Sequence, residues 1–236
     1  MKKLFFVLIV LTYSVSSPAQ GLFSKERLEN LENFDKQFIT WGYFLGFNSY
    51  DFKIDYREEF GEKETDILVK RSSGFNVGLV GDMRIIENIH LRLEPGLYFT
   101  ERELSFPRIE GSRDSLREVK STYIHIPLLV KFSTNKLNNF RPFVVGGVSA
   151  SINLSSNEDN PEDNEQGRFR MTKNTYYYEI GFGIDLYLFY FKFTPSIRGV
   201  FALNNELTPD DDPNSPWTGN IDKLSSRAVF INFTFQ

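Results

Sequence analysis

The stretch TYYYEIGFGIDL (residues 175–186) alternates large apolar side chains with small or charged ones. In an extended chain Tyr178, Ile180 and Phe182 fall on one face, and Glu179 falls on the other. Alternation with a period of two over such a length is typical of a β-strand with one apolar and one polar face. The stretch therefore predicts a long strand whose two faces meet different surroundings.

Seven other segments show the same kind of alternation, although the fifth is rich in glycine and mixed. The eight segments are residues 38–48, 73–85, 90–101, 121–133, 141–153, 175–186, 189–202 and 225–236. Their length of about 10 to 14 residues matches a tilted strand that crosses a bilayer and exceeds the roughly 5 to 6 residues of ordinary soluble strands. The segments therefore predict transmembrane strands.

The connections between these segments are alternately long and short. Four are long and polar (50–72, 102–120, 154–174 and 204–224), and three are short (86–89, 134–140 and 187–188). In an up-and-down barrel this order places the long loops at one end and the short turns at the other, which is the layout of outer-membrane barrels. We therefore expect an all-β, eight-stranded, antiparallel up-and-down transmembrane β-barrel with four long extracellular loops and three short periplasmic turns.

The alternative is a soluble, lipocalin-like barrel of eight strands, which would turn its apolar face inwards. Three features favour the membrane barrel. The apolar faces are unbroken, the polar faces carry charges in mid-strand, and strands end in aromatic residues, as in Phe233 and Phe235. Lipid cannot satisfy an open sheet edge, so such a sheet has to close on itself.

The N-terminus has the pattern of a secretory signal peptide. Lys2 and Lys3 precede an apolar stretch at 4–11, and Ala19 is suitably placed for cleavage before Gln20. The apolar stretch is too short to span a bilayer, which disfavours a membrane anchor. We therefore assign residues 1–19 to the signal peptide and residues 38–236 to an outer-membrane barrel.

Residues 20–37 form a periplasmic N-terminal segment in this assignment. The segment sets Leu22, Phe23, Leu28, Leu31 and Phe34 among charged residues. Two alternatives stay open for it: a short amphipathic helix that covers the barrel or contacts a partner, and a flexible arm.

Composition excludes several classes of site. The chain has no cysteine and only two histidines, which excludes disulfides and thiolate metal sites and disfavours a histidine metal site. A net charge of -4 does not suit a nucleic-acid-binding protein. We expect no cofactor, no metal, no nucleic acid and no small-molecule substrate.

The polar faces of the predicted strands carry a set of charges that would line the lumen. They are Asp82, Arg84, Arg92, Glu94, His125, Lys131, Glu179, Asp185, Lys192 and Arg198. Opposite charges in a narrow lumen are expected to pair, and the alternative is a path for ions or protons. Catalysis is disfavoured because the spacings show no nucleophile with a histidine and an acid, so we expect no enzyme.

The last two long loops hold the remaining candidates. Their acidic residues are Glu158, Asp159, Glu162, Asp163, Glu165, Glu206, Asp210, Asp211 and Asp212. Such oxygen clusters can hold Ca²⁺, but the spacing is not that of an EF-hand, which favours solvated loops. Trp217, which lies among prolines, is a candidate partner contact, and the alternative is that it packs onto the base of its own loop.

Several motifs resemble the PorT family, outer-membrane barrels of the type IX protein secretion system of Bacteroidota. They are LENFDK (31–36), GYFLGFN (42–48), LRLEPGLYF (91–99), YIHIPLLVKF (123–132), RPFVVGGV (141–148) and YYEIGFGID (177–185). The likeness extends from about residue 30 to the C-terminus, and some of these motifs are shared by a wider group of small Bacteroidota barrels.

The resemblance implies a role in the export of proteins that carry a C-terminal secretion signal, and in gliding members also of motility adhesins. It supplies no catalytic residues. Because a filled eight-stranded barrel cannot pass a folded protein, we interpret the chain as an accessory or assembly factor rather than the conduit. Its expected partners are outer-membrane lipid and other type IX secretion components. The alternative is a general small outer-membrane barrel with a structural or binding role.

Overall fold

The computed structural model describes residues 29–57, 67–107, 109, 111, 115–158, 169–212 and 215–236. A 3-10 helix, Phe34–Lys36, precedes ten strand segments. These are β1 (Ile39–Tyr56), β2 (Leu68–Arg71), β3 (Ser73–Ile86), β4 (Ile89–Leu93), β5 (Gly96–Ser105), β6 (Leu116–Ser133), β7 (Phe140–Asn153), β8 (Asn174–Tyr187), β9 (Lys192–Ala202) and β10 (Ile221–Phe235). Within the described ranges, no helix has the length and apolar character needed to cross a membrane.

The ten segments occupy eight positions of one closed barrel. A break at Ser72 separates β2 from β3, and a break at Glu94 and Pro95 separates β4 from β5. Neighbouring segments pair in antiparallel fashion around the ring, and β1 pairs with both β10 and β3. This closure confirms the predicted eight-stranded up-and-down barrel. The three short turns, at 87–88, 134–139 and 188–191, lie at the end opposite the long loops, as predicted.

The apolar face of the barrel points outwards. On β8, Ile180 is 64% exposed, whereas the neighbouring Glu179 is buried in the lumen. The same division holds on the other strands, where the outward face carries Trp41, Leu79, Leu128 and other large apolar residues. A soluble barrel would bury these side chains, so the outward apolar band confirms the transmembrane interpretation.

At the extracellular end the apolar side chains change face. Along β1, Phe47 points outwards, whereas Phe52, further towards the loops, is buried inside the barrel. Along β6, Val119 is buried and Lys120 is exposed. The strands therefore extend beyond their predicted ends, with β1 reaching Tyr56 and β6 starting at Leu116. Because the outward face becomes polar there, the sequence pattern led to a prediction of loops at these positions.

We expect a charge on the outward face to destabilise the barrel only where that face meets lipid. Ile180→Arg lies in the apolar band and should cost about 2 to 4 kcal/mol, whereas Leu116→Arg, outward at the extracellular end, should cost about 0 to 1 kcal/mol. Urea unfolding of the protein in lipid vesicles measures both. Equal costs for the two variants would contradict the placement of the band.

Candidate functional site

The strands turn a set of charged side chains into the lumen. Nine of the ten predicted lumen charges are buried: Asp82, Arg92, Glu94, His125, Lys131, Glu179, Asp185, Lys192 and Arg198. Arg84 is half-buried near the periplasmic end of β3, where it lies opposite His90. Four of the buried residues are acidic and four are lysine or arginine, so the buried set has balanced charge.

One half of this set centres on Asp82. Its two carboxylate oxygens lie 2.7 Å from His90 Nδ1 and 2.5 Å from Arg92 Nη2. Arg92 also lies 3.3 Å from the carboxylate of Glu94, which stands at the break between β4 and β5. His90 was not among the predicted lumen charges, because it is the first polar residue of its segment and its direction depends on the register with β3.

Glu94 links this group to a second one across the lumen. Its other oxygen lies 2.8 Å from Arg198 Nη2, and Arg198 Nη1 lies 3.4 Å from Glu179. Glu179 in turn lies 2.7 Å from His125 Nε2, and the Nδ1 of His125 lies 2.5 Å from the Ser151 hydroxyl. The result is a continuous series of ion pairs and hydrogen bonds that joins β3, β4, β9, β8, β6 and β7.

Ser151, His125 and Glu179 have the order of a nucleophile, a base and an orienting acid, a trio that the sequence did not reveal. A nucleophile must be reached by its substrate. Here Ser151 is 1% exposed and His125 is 0% exposed. Aromatic rings surround the imidazole, with ring centroids 4.9 Å away for Tyr98 and 5.6 Å away for Phe230. The trio therefore lies within the packed interior of the barrel.

A further ion pair joins β6 and β8 at the level of His90, which lies opposite Lys131. Lys131 Nζ is 2.5 Å from one oxygen of Asp185, and the Thr194 hydroxyl donates to the other oxygen at 2.7 Å. The Lys131 ammonium also lies 4.2 Å from the centroid of the Phe143 ring. Buried charges are tolerated when partners and hydrogen bonds replace water, and this pair meets that condition.

A layer of aromatic rings separates the charges from the extracellular end. This tyrosine layer consists of Phe44, Tyr50, Tyr98, Tyr123, Tyr177 and Phe230. Space inside so narrow a barrel is tight. A Cβ added at Gly78 would lie 2.5 Å from the Phe44 ring, so this glycine makes room for the ring.

A hydrophobic cluster fills the lumen beyond the tyrosine layer. This extracellular cluster consists of Phe52, Ile67, Leu104, Phe106, Val119, Phe169, Met171, Leu207, Ile221 and Leu224. The half-buried Trp217 packs against it, with the Arg117 guanidinium 5.0 Å from its ring centroid. The structure thus shows that Trp217 packs onto the base of its loop, and a partner contact by its exposed part stays a prediction.

Two buried charged residues meet at Ser226 of β10, and one of them, Glu206, joins the fourth loop to the barrel. Arg102 lies 3.9 Å from the centroid of the Phe52 ring and donates to the Tyr123 hydroxyl at 2.8 Å and to the Ser226 hydroxyl at 3.0 Å. Glu206 accepts hydrogen bonds from the backbone N–H and the hydroxyl of Ser226, both at 2.8 Å. Burial raises the pKa of the Glu206 carboxyl, and Arg102 and Ser226 offset only part of this rise.

The other acidic loop residues do not assemble a metal site in the part of the chain that the structure describes. Asp210 is buried and accepts from the hydroxyls of Ser215, at 2.5 Å, and Thr218, at 3.1 Å. Glu158 accepts from the backbone N–H of Lys173 at 2.6 Å. Four of the predicted acidic residues, Asp159, Glu162, Asp163 and Glu165, lie outside the described residues.

Residues 30–36, here called the N-terminal strap, contact the periplasmic end of the barrel. Asp35 accepts from the Tyr187 hydroxyl at 2.6 Å and lies 3.4 Å from Arg141 Nη1. Asn30 donates to Asn139 Oδ1 at 2.8 Å and to the backbone of Tyr187 at 3.0 Å. The described part of the N-terminal segment is a turn and a 3-10 helix rather than an amphipathic α-helix. Residues 20–28 and the signal peptide lie outside the described residues.

We expect the Lys131–Asp185 pair to behave as a structural unit. Lys131→Met leaves Asp185 without its cation and should cost about 3 to 5 kcal/mol, whereas Lys131→Met combined with Asp185→Leu should recover most of this loss. Urea unfolding in vesicles of the wild type, these two variants and the single Asp185→Leu variant completes a double-mutant cycle. Additive costs would contradict a coupled pair.

The raised pKa of Glu206 predicts that pH affects the extracellular end. The folded state holds the proton of Glu206 more tightly than the unfolded state. The contribution of this group to stability is therefore fully present below the ordinary glutamate pKa, and it is lost as the pH rises through the raised pKa of the folded state. Hydrogen exchange of 203–226, corrected for intrinsic rates between about pH 4 and pH 8, measures the opening free energy. Glu206→Gln should remove this dependence, and Asp222→Asn, at an exposed carboxyl of β10, should retain it.

Comparison with known proteins identifies the family. A family model described as "Outer membrane protein beta-barrel domain" matches residues 19–208. Among solved structures, Neisserial surface protein A is 7% identical, covers 84% of this chain and 98% of its own, and has a TM-score of 0.47. OprG from Pseudomonas aeruginosa is 14% identical, with 84% and 93% covered and a TM-score of 0.39.

The attachment invasion locus protein Ail of Yersinia pestis, solved with the heparin analogue sucrose octasulfate, is also 14% identical, with 83% and 96% covered and a TM-score of 0.39. No curated protein sequence matches the chain. The family match extends over more than half of the chain and agrees with the closed barrel and its outward apolar band. The chain is therefore an outer-membrane protein and belongs to the outer membrane protein beta-barrel domain family.

Proposed function

We propose that this outer-membrane barrel is a non-enzymatic component needed for type IX protein secretion, and that it acts as an accessory or assembly factor rather than as the conduit. The resemblance of its strand motifs to the PorT family supports the link to secretion. The observation that carries the accessory role is the filled lumen. Paired charges, the tyrosine layer and the extracellular cluster occupy successive levels of the barrel.

An accessory role requires contacts on the outside of the barrel. The N-terminal strap offers one such surface, because Asp35 and Asn30 hold it against the periplasmic turns. The long loops offer another, since the extracellular cluster packs their described bases onto the barrel. The expected partners are other type IX secretion components, and the gliding adhesins would be affected in a motile host. The burial of Ser151, His125 and Glu179 supports the non-enzymatic part of the proposal.

The test compares the secreted and cell-surface proteomes of a type IX-secreting host with and without this protein. We expect selective loss of proteins that carry the C-terminal secretion signal, while unrelated outer-membrane barrels insert normally. Restoration by the wild-type gene is the control. An unchanged secretome would overturn the proposal and leave the alternative, a small barrel with a structural or binding role.

Point variants of the strap sharpen this test. Asp35→Ala removes the acceptor of Tyr187 and the ion pair with Arg141, so we expect reduced export from a barrel that still folds. Lys36→Ala is the matched control, because the exposed Lys36 side chain contacts only its neighbour Asn33 among the described residues. Heat-modifiable migration on gels verifies folding of both variants. Normal export with Asp35→Ala would exclude the strap as the working surface.

A further inference from the structure

A row of four residues crosses neighbouring strands on the outer surface, where the apolar band ends. Tyr178 on β8 lies opposite Phe201 on β9, Phe201 lies opposite Arg227 on β10, and Arg227 lies opposite Asp51 on β1. Val229 follows Arg227 by two positions on β10, so it lies on the same face and closer to the membrane centre, and its side chain is exposed. This outer row therefore lies at the level of the headgroups of the outer leaflet.

The charges of the outer row are not balanced. Arg227 donates from Nε at 3.0 Å and from Nη2 at 2.7 Å to one carboxylate oxygen of Asp51. Arg71 approaches the same oxygen only to 3.8 Å, which is too long for a hydrogen bond. Both guanidiniums are open to the surroundings, with 60% of the Arg71 side chain and 54% of the Arg227 side chain exposed. Two cations thus share one anion, and donors are left over for an outside group.

Two outward lysines at the extracellular end, Lys70 and Lys120, differ from the two arginines in their carboxylate partners. Lys120 lies 3.0 Å from Glu118 and 3.5 Å from Glu101, and Lys70 lies 3.6 Å from Glu103. Each of these lysines has at least one carboxylate of its own. Compared with these two described lysines, the Arg71 and Arg227 pair has an excess of positive charge.

Aromatic rings and a groove lie next to the two arginines. The rings of Tyr178 and Phe201 stack with their centroids 5.0 Å apart. A groove of about 110 Å³ is lined by Ser49, Asp51, Arg71, Phe201, Arg227 and Val229, together with Ala228. Its upper end is charged and its lower end continues into the lipid-facing surface. Such a groove suits a molecule with a charged head and an apolar tail.

We propose that the outer row binds the phosphorylated sugar headgroup of a glycolipid in the outer leaflet. Planar guanidiniums are suited to phosphate oxygens because they donate two parallel hydrogen bonds. The Phe201 and Tyr178 rings present an apolar edge to the sugar, and the acyl chains lie along the apolar band near Val229. The phosphate of an anionic phospholipid could accept hydrogen bonds from the two arginines, but this lipid has no sugar ring to pack against Phe201 and Tyr178. This inference concerns lipid binding and is independent of the proposed role in secretion.

The test uses the purified full-length barrel in detergent and native mass spectrometry. The probes are a monophosphorylated glucosamine glycolipid, the same glycolipid without its phosphate, phosphatidylglycerol, and inorganic phosphate. We expect the phosphorylated glycolipid to bind most tightly. Arg71→Gln combined with Arg227→Gln should weaken its binding by about tenfold or more, because charge-assisted hydrogen bonds are lost.

Two further variants complete the design. Phe201→Leu should weaken binding of the glycolipid and leave phosphatidylglycerol unaffected. Lys70→Gln combined with Lys120→Gln removes the same number of outward charges elsewhere and should leave the glycolipid affinity unchanged. Arg71→Lys combined with Arg227→Lys keeps both positive charges but removes the planar guanidiniums that donate two parallel hydrogen bonds. This variant should bind the phosphorylated glycolipid with intermediate affinity. Heat-modifiable migration verifies that each variant folds.

Four results would overturn the proposal. Equal binding of the glycolipid with and without phosphate would exclude the arginines as the headgroup contact. Equal loss in the lysine control would show attraction to surface charge in general. Phosphatidylglycerol bound as tightly as the glycolipid would assign the row to anionic lipids of any kind. Inorganic phosphate bound as tightly would indicate a site for a free anion.

Discussion

The hydrogen-bonding needs of the backbone in lipid determine the rest of this structure. A bilayer core offers no partner for a free N–H or C=O group, so each transmembrane strand must pair on both sides. The chain meets this requirement by closing eight strand positions into a ring, with β1 bonded to both β3 and β10. A ring of this size leaves a lumen that side chains fill. The charges on the inward face then have to find partners in a confined space.

The lumen network follows from that confinement. Asp82 of β3 pairs with Arg92 of β4. Arg198 of β9 pairs with both Glu94 and Glu179, so the ion pairs connect strands around the ring. At the extracellular end the same barrel contains an apolar interior like that of a soluble protein. The outward face becomes polar at the same level. The barrel thus has a membrane part, with an apolar outside and a charged lumen, and an extracellular part, with a polar outside and an apolar interior.

Much of this architecture could be predicted from alternation, which reports on which face of a strand a residue lies. Glu179, Asp185 and Lys131 are examples, because each stands between apolar neighbours that face lipid. Strand ends were missed where the apolar side chains change face, as between Phe47 and Phe52. Ser151 was missed because its segment is rich in small residues, and its meeting with His125 depends on the register of β7 with β6.

The seam between β1 and β10 joins the first and last strands of the barrel, and Tyr43 lies opposite Phe235, next to the C-terminal residue. The ring can therefore close only after β10 has been synthesised and exported. Contacts between such distant segments are slow to form, because loop-closure entropy is lost before any pairing is gained. Until closure, the aromatic lipid-facing surfaces and the unpaired strand edges are exposed to water and prone to aggregation. Because of where the seam lies, we expect the exported chain to need protection from aggregation until β10 pairs with β1.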